Sequence, residues 1–339
     1  MKQFDRIETQ LEMRGLAMGF VISRALQVAA ELGIADALAG GPKERATLAR
    51  EVGADPSTLH RLLRAIASFG VFEELADGRY ANTARSEFLR SDVPGSIRNL
   101  ARMYGADASW RAWSALEHSV RFGEPGFAHI HGQTIFEYFA GHPEAARCFD
   151  EAMVASSRLM NDAIVEAYDW TRFGTLADIA GGMGSTLAAI LRANPALRGV
   201  LFDLDHVVAR ARELLREQGV AERCRTESGS FFDSVPAGAD AYFMKHILHD
   251  WNDADCLRIL ANCAKAMSDS TKLLVCEKIV PPGNDPNVAK TMDLVMLVMT
   301  DGGRERTEGD FRELFARAGL HLARVVPTRA DNSILEVTK

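Results

Sequence analysis

Apolar positions change their period about halfway along the chain. Residues 22–32 carry apolar side chains at helical spacing, Gly33 interrupts them, and 34–38 resumes the pattern before Gly40-Gly41-Pro42 breaks it. Two further helical stretches, 46–52 and 56–69, flank Gly53-Ala54-Asp55, where Pro56 suits a first helical turn and Asp55 can cap it. Residues 70–74 and 79–83 read as two strands joined at Asp77-Gly78. Helix, turn, helix and a two-stranded wing predict a winged-helix arrangement. Residues 110–160 are helical and aromatic-rich, with Trp110, Trp113, Phe127, Phe136, Tyr138, Phe139 and Phe149.

From residue 175 the apolar runs shorten to 176–180, 200–203, 241–244 and 273–275, each followed by a helical stretch. Strands alternating with helices predict an α/β fold with a parallel, doubly wound, Rossmann-like sheet. The last runs, 320–327 and 333–337, have only a turn between them, which predicts antiparallel pairing. The expected organisation is a first domain at 1–100 and a second at 101–339. The second divides into a helical segment at 101–165 and the α/β core at 166–339.

Composition narrows the function classes. The chain has 339 residues, enough for two domains at roughly 150 residues each. Its 39 Lys and Arg against 46 Asp and Glu give a net charge of −7, and 47% of its residues are hydrophobic. Disorder does not fit that apolar fraction. Residues 1–100 hold 13 Lys and Arg against 13 Asp and Glu, so the wing segment lacks the basic patch of a nucleic-acid binder. Its apolar helices, 16–32 above all, are expected to bury against a second copy of the chain. The apolar run 294–299 falls far short of the roughly 20 residues that span a bilayer, and Asp5, Glu8 and Glu12 argue against a signal peptide. Five scattered cysteines without a C-x-x-C pair read as reduced, buried thiols of a cytoplasmic protein.

Chemistry enters where the first strand of the sheet meets Ala180-Gly181-Gly182-Met183-Gly184-Ser185. Glycines at a strand-to-helix turn bring backbone close to a ligand and aim helix N-terminal N–H groups at an anionic moiety. Asp203, at the end of the second strand, can accept both hydroxyls of a ribose. The loop fits G-x-G-x-x-G poorly, with Ala180, Gly182 and Ser185 in the glycine places, and reads better as G-x-G-x-G with Ala180 first. A nucleoside cofactor is the reading. A bare structural turn, with Asp203 a solvated strand end, is the alternative.

A second constellation follows the strand at 241–244, in Lys245-His246-Ile247-Leu248-His249-Asp250-Trp251. Glu277 follows the strand at 273–275, and Glu305 lies in Gly302-Gly303-Arg304-Glu305-Arg306-Thr307 beyond the next helix. A histidine beside two carboxylates suits general-base work, because they fix its tautomer and stabilise its imidazolium. Singly, His249 could be structural, and Glu305 between two arginines could belong to an exposed ion-pair network. His246, in an extended segment, is expected to point away from the pocket or into the core. No metal is expected, since one histidine alone is well placed.

Read in order, these segments resemble the cation-independent small-molecule O-methyltransferases of the caffeate and hydroxyindole type, including bacterial members acting on antibiotic and phenazine intermediates. The resemblance runs through Leu32-Gly33-Ile34-Ala35-Asp36, Gly123-Glu124-Pro125-Gly126-Phe127, the glycine loop and Phe202-Asp203-Leu204. It is strongest in Lys245 with Ile247-Leu248-His249-Asp250-Trp251 and in Gly303-Arg304-Glu305-Arg306-Thr307. It implies a methyltransferase sheet with an N-terminal dimerisation domain, S-adenosyl-L-methionine as cofactor, and a homodimer. By resemblance His249 is the base, Glu277 and Glu305 orient it, and Ala180, Gly182, Asp203, Leu204 and Lys245 belong to the cofactor side. Met153 and Met296 match acceptor-side methionines, though Met292, Met296 and Met299 also fit a core stripe, and Asp250 is either an acceptor contact or solvated. Three positions depart from the family. Ala180 replaces a glycine, Ser230 before Phe231 replaces the acid on the adenine side, and His246 replaces a tryptophan.

The implied reaction is in-line methyl transfer to an aromatic, phenolic acceptor. A phenol with a pKa near 10 is within reach of a histidine base, and an aliphatic alcohol would be much harder. Two rival classes remain: a winged-helix ligand-responsive DNA-binding regulator and an NAD-dependent oxidoreductase.

Overall fold

The computed structural model describes residues 3–339. They form two compact units, residues 3–110 with Arg147–Ser156, and Arg111–Ala146 with Ser157–Lys339.

In the first unit, helices Gly19–Glu31, Ile34–Ala37, Arg45–Glu51 and Pro56–Ala67 follow the apolar spacing. Asp55 caps the last of these, accepting from the Ser57 and Thr58 N–H groups at 3.0 and 2.9 Å. A small antiparallel sheet of β1 (Lys43–Glu44), β2 (Phe72–Glu74) and β3 (Arg79–Asn82) has the order β1-β3-β2. Ile34, Leu48, Leu63, Ile66, Phe72 and Tyr80 close its core. β1 was not expected, because Lys43 and Glu44 carry no apolar signal and pair through backbone alone. Helix Gln3–Ala17 was not expected either. It leaves Ile7, Leu11, Met13 and Leu16 exposed.

The second unit carries β4 (Thr175–Ile179), β5 (Arg198–Asp203), β6 (Cys224–Ser228), β7 (Ala241–Lys245), β8 (Lys272–Glu277), β9 (His321–Pro327) and β10 (Ser333–Thr338). Their order is β6-β5-β4-β7-β8-β10-β9. The first five are parallel, while β10 pairs antiparallel with β8 and with β9. Alternate residues serve opposite faces: Tyr242 and Met244 pack with Ile259 and Phe315, whereas Phe243 packs with Leu187 and Trp170. Both faces are therefore covered, as a doubly wound sheet requires. β6 escaped the sequence pattern because Cys-Arg-Thr-Glu-Ser on a sheet edge needs little apolar surface. Strand order reverses between β4 and β7, which places a ligand crevice at their carboxyl ends. All five cysteines are free thiols, four of them buried and Cys148 half-buried.

Candidate active site

The glycine loop leaves β4 through a sharp turn. Ala180, Gly182 and Gly184 have φ of 55°, 58° and 78°, and Gly184 opens helix Ser185–Ala193 without a side-chain cap. Gly181 is required by sterics, since a Cβ there would sit 2.5 Å from Asp178 Oδ2 and from Leu201 Cδ1. At Gly182 a Cβ would meet nothing within 4 Å, so the loop turns bare backbone outward. The Asp203 carboxylate clasps this loop to the end of β5: the Gly182 N–H donates to Oδ2 at 2.8 Å and the Leu204 N–H to Oδ1 at 2.7 Å. The Leu204 side chain is half exposed beside it.

Beneath the loop lies Asp178, which the sequence reading did not single out. Its signal was a lone carboxylate inside an apolar strand. Burial pushes its pKa up to about 7, against the pull of Lys245. Lys245, half-buried at the end of β7, donates to Ser157 Oγ at 3.0 Å, and desolvation lowers its pKa.

His249 stands in a short turn, Leu248–Asp250, just beyond β7, and is 8% exposed. Its Nδ1 lies 2.9 Å from Glu305 Oε1 and 3.9 Å from Glu277 Oε2, and its Nε2 lies 3.6 Å from Asp250 Oδ1. Because Glu305 can only accept when ionised, Nδ1 carries the proton of the neutral ring and Nε2 is the basic nitrogen. Glu277, at the end of β8, is wholly buried and uses Oε1 to accept the Ile247 and Leu248 N–H groups at 3.0 and 2.9 Å. It thereby ties the histidine turn to β8.

Charge sets the ring's basicity. Desolvation alone would depress the His249 pKa, but Asp250, Glu277 and Glu305 together raise it to about 9. Burial pushes Glu277 up to about 6, with His249 opposing and Glu305 adding to the rise. Glu305 is 5% exposed, so it belongs to no solvated ion-pair network. Ligand atoms of His249, Glu277 and Glu305 lie within 4.8 Å of one another, and Oε2 of each glutamate lacks a hydrogen-bond partner.

Two residues that the sequence reading did not assign hold the turn in place. Arg306, fully buried, donates to Leu248 O at 2.7 Å, Trp251 O at 3.1 Å and Asp253 Oδ1 at 2.7 Å, bracketing His249. At Gly303 a Cβ would overlap the His249 carbonyl oxygen and Thr300 Oγ1. Their signals were the Gly302-Gly303 doublet and an arginine beside a buried acid. His246 corrects an expectation. Its backbone is left-handed rather than extended, with φ 56°, and its ring stacks on His249 at 5.2 Å between centroids.

Comparison with known proteins identifies this architecture. A family model described as the O-methyltransferase domain matches residues 113–321, and one described as the O-methyltransferase dimerisation domain matches 15–92. The chain belongs to the O-methyltransferase family. It is similar to phenazine O-methyltransferase PhzM of Lysobacter antibioticus, 44% identical over 318 residues, covering 94% of this chain and 93% of that protein. It also resembles phenazine-1-carboxylate N-methyltransferase of Pseudomonas aeruginosa, 34% identical with 90% of each chain covered. Among solved structures, LaPhzM superposes with a TM-score of 0.93 at 42% identity, covering 97% of this chain and 99% of that one. The O-methyltransferase NcsB1 of neocarzinostatin biosynthesis, in complex with S-adenosylmethionine and 2-hydroxy-5-methyl naphthoic acid, gives 0.80 at 34% identity, covering 93% and 95%.

The remaining predicted residues of this O-methyltransferase fall in different places. Ser230 Oγ accepts the Phe232 N–H at 3.2 Å, and so serves its own turn. Phe231 meets Trp251 edge-on at 5.9 Å, and Phe136 lies parallel to Trp251 at 5.9 Å. Met296 is buried in helix Val288–Met299. Met153, in helix Pro143–Ala167, falls in the first unit and is not among the residues that the second unit gathers.

Proposed function

We propose that this enzyme transfers a methyl group from S-adenosylmethionine to a phenolic hydroxyl of an aromatic small molecule in secondary metabolism, with His249 as general base. The observation that carries the reading is the 2.9 Å contact of Glu305 with Nδ1 on a ring only 8% exposed, which leaves Nε2 as the proton acceptor.

The loop fits the cofactor on its own geometry: outward backbone at Gly182, an uncapped helix start at Ser185, and a carboxylate at Asp203 that ties the loop to the end of β5. Ala180, Leu204, Ser230, Phe231 and Lys245 complete the cofactor side in this reading, with Ser230 offering a neutral hydroxyl. When bound, the cofactor supplies an electrophilic methyl on a sulfonium, whose carbon–sulfur bond breaks to leave the neutral thioether S-adenosylhomocysteine. His249 Nε2 takes the phenolic proton as the acceptor oxygen attacks, and Nδ1–H holds to Glu305. Asp250 and Glu277 stabilise the imidazolium that results. A base with a pKa of about 9 is well matched to a phenol near 10, whereas an aliphatic hydroxyl lies several units higher. Asp250 and Met296 are assigned to the acceptor side.

The homodimer belongs to the same reading. Leu16 and Phe20, 75% and 62% exposed, lie inside the segment matched by the dimerisation model, and Ile7 and Leu11 just before it are exposed as well. A cytoplasmic location without nucleic-acid or membrane partners is proposed with it. Among the described residues no helix is long and apolar enough to cross a membrane.

Calorimetric titration with S-adenosylmethionine and with NAD, followed by a methyl-transfer screen of catechols, hydroxyquinones and hydroxyphenazines, tests the assignment. Binding of NAD in place of S-adenosylmethionine would overturn it. The N-methyltransferase relative supports a second reading, transfer to a ring nitrogen. Such a lone pair carries no proton, so His249→Ala would leave that transfer intact while abolishing transfer to a phenol.

A further inference from the structure

Glu305 alone does not fix the ring of His249. One hydrogen bond to Nδ1 sets the tautomer but lets the imidazole swing about the Nδ1···Oε1 axis, carrying Nε2 out of line with an acceptor. A contact on the face of the ring removes that freedom. His246 makes it, with centroids 5.2 Å apart and planes inclined by 27°.

His246 holds this place at a conformational cost. Among the described residues only Ala180 and His246 are non-glycine residues with positive φ. Such backbone persists where its surroundings over-determine it. Here the His246 N–H donates to Cys276 O at 3.1 Å, and Nε2 lies 3.1 Å from Oδ1 of the buried Asn332. Lys278 Nζ donates to the same Oδ1 at 3.3 Å, and Asn332 Nδ2 donates to Met160 Sδ at 2.8 Å. Lys278 Nζ, a donor, also lies 3.4 Å from Nε2, and the shorter contact with the accepting amide oxygen makes Nε2 the protonated nitrogen of His246. Burial, with Lys245 and Lys278 close by, holds the His246 pKa well below the usual histidine range. An uncharged ring can face His249 in both of its protonation states, whereas a second imidazolium would repel it.

We propose that His246 is a positioning residue for methyl transfer: the face of its ring, packed against the imidazole of His249, holds Nε2 of His249 directed at the acceptor. The proposal rests on the reading of His249 as general base.

Two substitutions separate the ring from its hydrogen bond. His246→Asn tolerates the left-handed backbone but removes the stacked face, while His246→Phe restores the face without the contact to Asn332. Kinetics with the best acceptor of the catechol, hydroxyquinone and hydroxyphenazine panel, together with S-adenosylmethionine titration, read the outcome. His246→Asn is expected to lower kcat on the order of 10- to 100-fold with the cofactor Kd within about twofold of wild type, and His246→Phe to recover kcat to within about threefold. The proposal is overturned if His246→Asn keeps kcat within about twofold of wild type, or if His246→Phe is as slow as His246→Asn. Should His246→Asn fail to fold, His246→Phe decides alone: a loss beyond about tenfold in soluble, cofactor-binding enzyme overturns it. His249→Ala is the control. Near-native turnover there removes the base reading itself, whereas an inactive His249→Ala beside an unimpaired His246→Asn removes only the positioning role.

Discussion

Nδ1 of His249 and Oε1 of Glu305 meet at 2.9 Å although 56 residues separate them in the chain. The contact joins a turn after β7 to a loop after helix Val288–Met299, and it sets which nitrogen of the ring is basic. Replacing Glu305 by Ala should lower kcat by about 10²- to 10⁴-fold while the affinity for S-adenosylmethionine stays near wild type. Steady-state kinetics paired with calorimetry check this, and a parallel loss of cofactor binding would place Glu305 in the cofactor site instead.

Activity should rise with pH. The base form of His249 is the reactive one, and with its pKa raised to about 9, kcat/KM for a phenolic acceptor should climb across the neutral range and level off near pH 9. Glu305→Gln removes one of the charges that raise this pKa, so its plateau should begin at lower pH. A profile that is flat from pH 6 to 9 in the wild type would count against His249 as the base.

Stability should move the opposite way. The folded-state pKa of His249 is raised above its unfolded value of about 6.5, so the folded chain holds a proton that the unfolded chain releases. The contribution is fully present below pH 6.5 and is lost as pH rises through about 9. Urea titrations at pH 6.5 and 9 should therefore show wild type losing more stability over that interval than His249→Gln, by on the order of 2 kcal/mol. Equal losses would mean that the ring is not protonated in the folded state.

Arg306 should be needed for the fold of the turn as well as for activity. Its guanidinium serves two backbone carbonyls and Asp253 in a fully buried place. Arg306→Met takes the charged donor from both carbonyls, leaving them the weak Cys256 thiol, and one of three arginines from Asp253, at an expected cost of about 3–5 kcal/mol. Thermal denaturation checks the size, and a shift below 1 °C would show that the turn holds without it.

The site should work without a metal. His249, Glu277 and Glu305 stand close enough to share a cation and Oε2 of each glutamate is unpartnered, but Nδ1 of His249 carries a proton held by Glu305 Oε1, so that side of the ring offers a cation no lone pair. Dialysis against EDTA and phenanthroline should leave turnover unchanged. Loss of activity that Zn²⁺ or Mg²⁺ restores would make the cluster a metal centre.

Much of this was legible from periodicity. Five central strands of the large sheet, β4, β5, β7, β8 and β10, are apolar because both of their faces are covered, and β9 carries enough of the same pattern to be found. The edge strand β6 and the short β1 carry no such signal, since their pairing is made by backbone. Asp55 announced its cap because the cap is local, with donors two and three residues away. His246 was misread for the converse reason. Its left-handed φ is imposed by Asn332, Lys278 and the ring of His249, none of which lies in its local sequence pattern.

The sequence by itself determined the alternation of strands and helices, the glycine loop, the acid at the end of β5, and the presence of one histidine and two glutamates near strand ends. Those follow from residue type and spacing, which act over a few residues. Tertiary structure alone decided that Glu305 is buried against His249 rather than solvated between arginines, that Asp203 clasps the glycine loop, that Asp178 sits dehydrated beneath it, and that His246 stacks on the base. Desolvation and short contacts between distant segments set each of these, and they exist only once the chain has closed on itself.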